Sequence, residues 1–329
     1  MAFLNVISFT FDETDNYLLL CQMNNRTKRN EYCAKGKGYY HFCTDGLKNG
    51  KLFYTAEQFA FGMILMGILT IKFSVKIYAF VLMPNHVHII LSGTGENCVK
   101  AFDYLRFKIS MRLKADGYDP LPEDYDFVLL DNKDPNQMRC EITYVLRNPY
   151  EKNYATPGGY IWGSGWLYYS SLPNLINGEK AENLSVRKLQ KVSTVNDPIP
   201  PHWIFHPDIG LHPSGFVDCS MVSKLFPTAK DFESALVKDY ESYIRTAKAL
   251  NENVELTQSE LKDLVNKELH ESFGGSNLWN MSQDDKYKLA VQLNNNYGLS
   301  PQQISDSIKL SEKIVRQVIH SKEYRIVQR

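Results

Sequence analysis

No two of the six cysteines, at 21, 33, 43, 98, 140 and 219, stand at CxxC spacing. That scatter excludes a zinc ribbon and a disulfide framework, and reads as reduced thiols of a cytosolic protein. Charge of one sign is lacking too: 37 Lys and Arg balance 37 Asp and Glu, so no global field draws the chain to nucleic acid. The most apolar run, Phe59 to Ile71, is too short to span a bilayer and reads as a buried helix. The opening MAFLNVISFTF has neither a basic region nor a cleavage site, so no secretory signal is expected. The expectation is a soluble protein without a membrane partner, long enough at 329 residues for two or three domains.

Aromatic residues, by contrast, are plentiful: twenty Tyr, seventeen Phe and four Trp. Core packing is their default use, and exposed rings are platforms for unpaired bases. Positive charge is concentrated in two stretches. Lys100, Arg106, Lys108, Arg112 and Lys114 oppose only Asp103, while Lys309, Lys313, Arg316, Lys322, Arg325 and Arg329 outnumber Glu312 and Glu323. A charge run by itself is most often a solvated helix face.

Residues 1–38 form a polar-ended extension carrying the basic NNRTKRN. From Tyr39 the pattern is regular. YYHFC (39–43) reads as a strand, Thr55 caps a helix to about Ile71, and FSVKIYAFVLM with HVHIILSG makes a hairpin about Pro84-Asn85. A helix over 96–115, a strand at 127–130 and a helix from about Asp134, closed by Pro149, complete the order β-α-β-β-α-β-α. That order predicts an α+β fold: a ferredoxin-like split βαβ domain over 39–170, an antiparallel sheet with helices on one face. An accessory region, 171–280, is loop-rich and then helical. Thr228 caps a helix burying Phe232, Leu236, Tyr240 and Ile244, and Thr257 with Glu260 forms a capping box. In 281–329, Ser282, Ser300 and Ser311 open three helices and Gly298 breaks the first, a helix-turn-helix layout.

Two residue pairs carry the chemistry. On a strand, the imidazoles of His86 and His88 point to the same face and converge on one ion. Tyr144 and Asn148, i and i+4 on a helix, share its face. Either pair alone is more often structural. Together they say more: a helix packed on the sheet brings Asn148 to the histidines as a third ligand and leaves Tyr144 beside the ion. Two neutral imidazoles and an amide oxygen suit a hard divalent cation, Mg2+ or Mn2+ rather than zinc, and imply no cysteine. A second group, His202, His206 and His212 with Cys219, lies in a Pro- and Gly-rich loop at irregular spacing and reads as scattered surface histidines.

These motifs resemble those of the REP-associated tyrosine transposases, within the single-tyrosine HUH endonucleases. The matching blocks are YAFVLMPNHVH (78–88) and Tyr144-Val-Leu-Arg-Asn148-Pro149, with a looser echo in Pro157, Tyr160, Trp162 and Ser164. Val145, Tyr150 and GWLYY depart from the family pattern without removing a reacting group. The resemblance covers about 39–170. It implies His86, His88 and Asn148 as metal ligands and Tyr144 as a nucleophile that cleaves and rejoins single-stranded or hairpin DNA through a 5′-phosphotyrosine. It also implies a bacterial, nucleoid-associated cytoplasmic protein, monomeric or homodimeric. The alternative is a non-catalytic hairpin-binding regulator derived from a transposase. Candidate DNA contacts are Lys100, Arg106, Lys108, Arg112 and Arg147, then Lys313, Arg316 and Gln317, with His320, on the last helix. Tyr160, Trp162 and Trp166 are candidate base-stacking rings, with packing the stronger expectation.

Overall fold

The computed structural model describes residues 27–47, 50–151, 159–170, 177–187, 189, 199–238, 240–250, 252 and 254–321. The extension up to residue 26, Pro157, Lys322, Arg325 and Arg329 lie outside the described residues.

Residues 27–33 form a helix, α1. It is followed by β1 (Lys37–Thr44), α2 (Ala56–Lys72), β2 (Lys76–Leu82), β3 (Val87–Thr94), α3 (Gly95–Ala115), β4 (Phe127–Asn132) and α4 (Pro135–Glu151). The strands line up as β2-β3-β1-β4 with every neighbouring pair antiparallel. Register then decides what each face carries, because successive side chains on a strand alternate. Phe42 of β1 meets Phe102 of α3, and Gly62 of α2 lies against Leu82 of β2. His41, one residue away, turns the other way and meets Tyr144 of α4.

So α2 and α3 cover one face of the sheet and α4 covers the other. This corrects the expectation that the helices share one face. The two crossover helices do so. Helix α4 follows the last strand and crosses to no further one, so the handedness rule for crossovers leaves its side open. Packing decides it: the second face would otherwise expose a row of buried side chains. Pro149 lies inside α4, which runs to Glu151 instead of stopping at the proline.

The outer edge of β2 is covered as well. Leu82 N donates to Trp162 O, Ser164 N donates to Phe80 O, and Phe80 N donates to Ser164 Oγ. That removes a row of free backbone groups. Helix α1 packs Tyr32 on Phe127 and ties Arg29 to Asp103, so the body of the sheet unit begins before residue 39.

A small sheet of β5 (Glu179–Lys180), β6 (Ile204–His206) and β7 (Gly210–Leu211) sits against α2. The helices after it are α5 (Ser220–Leu225), α6 (Ala229–Lys238), α7 (Tyr240–Leu250), α8 (Gln258–Ser272), α9 (Gln283–Tyr297), α10 (Pro301–Ile308) and α11 (Glu312–His320). Helices α6 and α7 both pack against α4, and Phe232, Leu236 and Ile244, expected to be buried after Thr228, are buried. Helices α7 to α11 share a core of Ala247, Leu264, Leu289, Ile304 and Val315 that runs on to Tyr144 and Cys43. The expected caps are present. Thr257 and Glu260 form their box, Ser282, Ser300 and Ser311 accept from their N3 amides, and Gly298 ends α9 at φ 71°. No helix among the described residues is long and apolar enough to cross a membrane.

Gly210 holds the β6–β7 turn against α2. Its φ is +72°, and an added Cβ would lie 2.3 Å from the carbonyl oxygen of Ala60. A backbone oxygen inside a helix cannot swing aside as a side chain would. Gly210→Ala is therefore expected to cost about 3 kcal/mol, combining left-handed strain with overpacking, read as a lower midpoint in denaturant titration.

Candidate active site

The polar face of the sheet is built from alternate residues of the two central strands. Cys43 of β1 lies opposite His88 of β3 in the ladder, and His41 lies opposite Ile90. His86 enters from the β2–β3 turn, where Met83 N donates to His86 O and the Asn85 amide oxygen sits 2.9 Å from His86 Nδ1. Helix α4 lays Glu141, Tyr144 and Asn148 over these groups, since positions i, i+3 and i+7 share a helical face.

The sequence-predicted quartet does come together. His86 Nε2 is 3.3 Å from Asn148 Oδ1, and the His86 and His88 rings are 4.7 Å apart. The Tyr144 ring lies 5.4 Å from that of His88. Two nitrogen lone pairs and an amide oxygen on one face are a chemically suitable donor set for a divalent cation. His88 Nε2 is buried and has no hydrogen-bond partner, as a nitrogen reserved for an ion would be.

Four further groups, Glu252, Cys43, His41 and Glu141, enter the same pocket without belonging to either motif. Glu252, between α7 and α8, accepts hydrogen bonds from Tyr144 Oη and, at 3.0 Å, from Cys43 Sγ. Its Oε1 stands 3.6 Å from His88 Nε2. Among the described residues, Cys43, His88 and Glu252 form the one group of three His, Cys or acidic side chains close enough to share an ion. A carboxylate and a thiol thus stand beside the expected ligands, which themselves carry neither charge nor sulfur. On the far side, His41 Nε2 lies 3.2 Å from His88 Nδ1, and His41 Nδ1 faces Glu141 Oε2 at 3.5 Å. His41 and Cys43 are two apart in YYHFC, so the alternation that singled out His86 and His88 also put this pair on one face. Glu252 carried no such signal.

Burial sets the electrostatics. It pushes the His88 imidazole well below its ordinary value, against the pull of Glu252, so His88 is neutral at neutral pH. Burial would raise the Glu252 carboxyl, but the two histidines and the hydrogen bonds from Cys43 and Tyr144 outweigh it and hold the group at about 2. Burial, then the charge of Glu252, push the Tyr144 phenol well above its ordinary value. The phenol is 1% exposed and stacked on Tyr243 of α7, ring centroids 5.0 Å apart. It is protonated and covered.

The expected DNA contacts are not part of this pocket. Helix α3, with Lys100, Arg106, Lys108 and Arg112, lies on the opposite face of the sheet. Lys100 pairs with Glu96, Arg106 donates to the carbonyls of Pro122 and Glu123, Lys108 sits over Tyr104, and Arg112 pairs with Asp116. Arg147 is fully buried: it pairs with Glu260 of α8, donates to Leu236 O and stacks over Tyr243. It points away from the pocket, into the accessory helices. On α11, Lys313, Arg316, Gln317 and His320 are exposed, opposite the buried Val315, Val318 and Ile319.

The aromatic candidates are packed. Trp166 is buried against His212, Trp162 stacks on Phe59, and Tyr160 donates to Leu82 O. His206 faces Asp208 and His212 faces Ser214, so the second histidine group does not converge.

No family model matches the chain, and no curated protein does. Among solved structures, a REP-associated tyrosine transposase bound to a REP hairpin is similar at 17% identity, with a TM-score of 0.32, over 40% of this chain and 79% of that one.

The buried Arg147–Glu260 pair fastens the tyrosine helix to α8. Arg147→Met is expected to lower stability by about 3–5 kcal/mol, because it strands a buried carboxylate. Thermal melting of the variant, and of Arg147→Met with Glu260→Gln, which restores part of the loss, checks it.

Proposed function

We propose that this chain is a tyrosine DNA transposase of the HUH type, acting on single-stranded or hairpin DNA. The convergence of His86 from the β2–β3 turn, His88 from β3 and Asn148 from α4 beside Tyr144 is the observation that carries the reading. Those three residues would hold Mg2+ or Mn2+, which when bound supplies positive charge to the scissile phosphate.

The remaining chemistry belongs to the chain. Tyr144 Oη attacks phosphorus and gives up its proton, the bond from phosphorus to the 3′-oxygen breaks, and the leaving 3′-oxygen gains a proton. One phosphodiester replaces another, so a second 3′-hydroxyl can reverse the step without a nucleotide cofactor. Asn148 and Tyr144, one turn apart on the same rigid helix, fix the nucleophile relative to the histidines. The carboxylate of Glu252 and the ring of Tyr243 cover the phenol, so DNA must displace them to reach it.

The split βαβ sheet unit and the three C-terminal helices divide the labour in this reading. The trio α9–α11 acts as a helix-turn-helix, offering Lys313, Arg316, Gln317 and His320 to a duplex stem. The basic face of α3 is a separate surface for phosphates and does not feed the cleavage site. Arg147 takes no part in binding.

Two measurements test the reading. With a 3′-labelled hairpin oligonucleotide and Mn2+, the label is expected on the protein after denaturing electrophoresis. Tyr144→Phe abolishes that adduct, and His88→Ala lowers its yield by about a thousandfold. Tyr243→Ala, which removes the stacked cover and about 1 kcal/mol of ring contact, is expected to raise the initial adduct rate several-fold.

The burial of Tyr144 also favours a second reading, a hairpin-binding regulator that does not cut. That reading holds if wild type and Tyr243→Ala both retard the hairpin in a gel yet neither carries label.

A further inference from the structure

Glu252 stands outside the sheet unit and its motif, yet its carboxylate sits at the centre of the pocket. A buried chain of polar side chains lies behind it. Glu141 is buried on α4 and accepts from Asn132 Nδ2 at 3.1 Å and Gln137 Nε2 at 2.7 Å. Its Oε2 faces His41 Nδ1 at 3.5 Å, and His41 Nε2 lies 3.2 Å from His88 Nδ1. That contact holds the His88 ring with Nε2 toward Glu252 Oε1, 3.6 Å away. His88 Nε2 is buried without a hydrogen-bond partner among the described residues, and its position with Glu252 and Cys43 is close enough for a shared ion.

A carboxylate and a buried imidazole nitrogen that share no hydrogen bond are a donor pair for a positive centre between them. A spacing of 3.6 Å is too long for a direct hydrogen bond and suits two ligands of one divalent ion with bonds of about 2.1–2.3 Å. The other carboxylate oxygen is engaged by Tyr144 Oη, so the group is held in place.

We propose that Glu252 is a metal ligand of the DNA-free protein, joining His86, His88 and Asn148, with the Glu141–His41 pair orienting His88 toward the ion. The inference rests on the proposed metal site and adds to it a ligand drawn from the accessory region. It gives the site its one anionic donor. It also makes metal binding pin the α7–α8 segment over Tyr144. His41 and Glu141 act as positioning residues, through His88 alone.

The test is Mn2+ binding to the full chain by isothermal titration, with no DNA present. Glu252→Gln keeps an acceptor for Tyr144 but loses the charge, and is expected to weaken binding at least tenfold; His41→Ala weakens it by about tenfold without touching the ion. Hydrogen exchange of the unmutated chain supplies a readout that needs no variant: Mn2+ is expected to slow exchange in α7 as well as in β3 and α4.

If Glu252→Gln binds Mn2+ as wild type does, while His88→Ala does not bind, the inference fails and the proposed function stands. Protection confined to β3 and α4 has the same meaning. If His88→Ala and Glu252→Gln both bind as wild type does, the metal site itself falls, and the inference with it.

Discussion

A half-buried carboxylate at the meeting point of a phenol, a thiol and an imidazole is the contact around which this molecule closes. Glu252 belongs to the accessory region, whereas Tyr144, Cys43 and His88 belong to the sheet unit. Leaving such a group unpaired in that pocket would cost several kcal/mol, so the accessory helices and the sheet must fit each other closely. Arg147 with Glu260 and the ring stack of Tyr144 on Tyr243 make the same junction from either side. Accessory helices and α4 therefore form a single packed interface.

That interface explains how one fold can hold reactive groups without using them. The nucleophile candidate is protonated, hydrogen-bonded and nearly inaccessible, each for a physical reason that the same segment supplies. Removing the segment would change all three conditions at once: solvent would reach the phenol, the nearby negative charge would be gone, and its hydrogen-bond acceptor would be free to change. Access to the phenol is thus coupled to how firmly α7 and the residues after it sit on α4.

The two faces of the sheet divide the remaining roles. Phe42, Ile89 and Phe102 make an apolar layer under α2 and α3, which gives rigidity. His41, Cys43 and His88 make a polar layer under α4, where buried polar groups line up from Glu141 to Glu252. The basic side chains of α3 lie on the outside of the apolar layer, across the sheet from the pocket of His88 and Tyr144.

Strand and helix positions, the caps and the same-face pairs His86/His88 and Tyr144/Asn148 were legible from one-dimensional patterns, because a period of 2 or 3.6 and a capping side chain act within a few residues. His41 and Cys43 were legible in the same way, as a pair on one face of β1. Their placement beside His88 was not, because register between strands 47 residues apart depends on the whole sheet. The side taken by α4 was not fixed by any crossover, and Arg147 read as a candidate DNA contact until its buried partner in α8 appeared. Glu252 lies 108 residues beyond Tyr144, in a stretch without periodicity. Only the close packing of the accessory helices on α4 could bring its charge to the site, since a contact at that separation is chosen by the fit of two surfaces and leaves no mark on the local sequence.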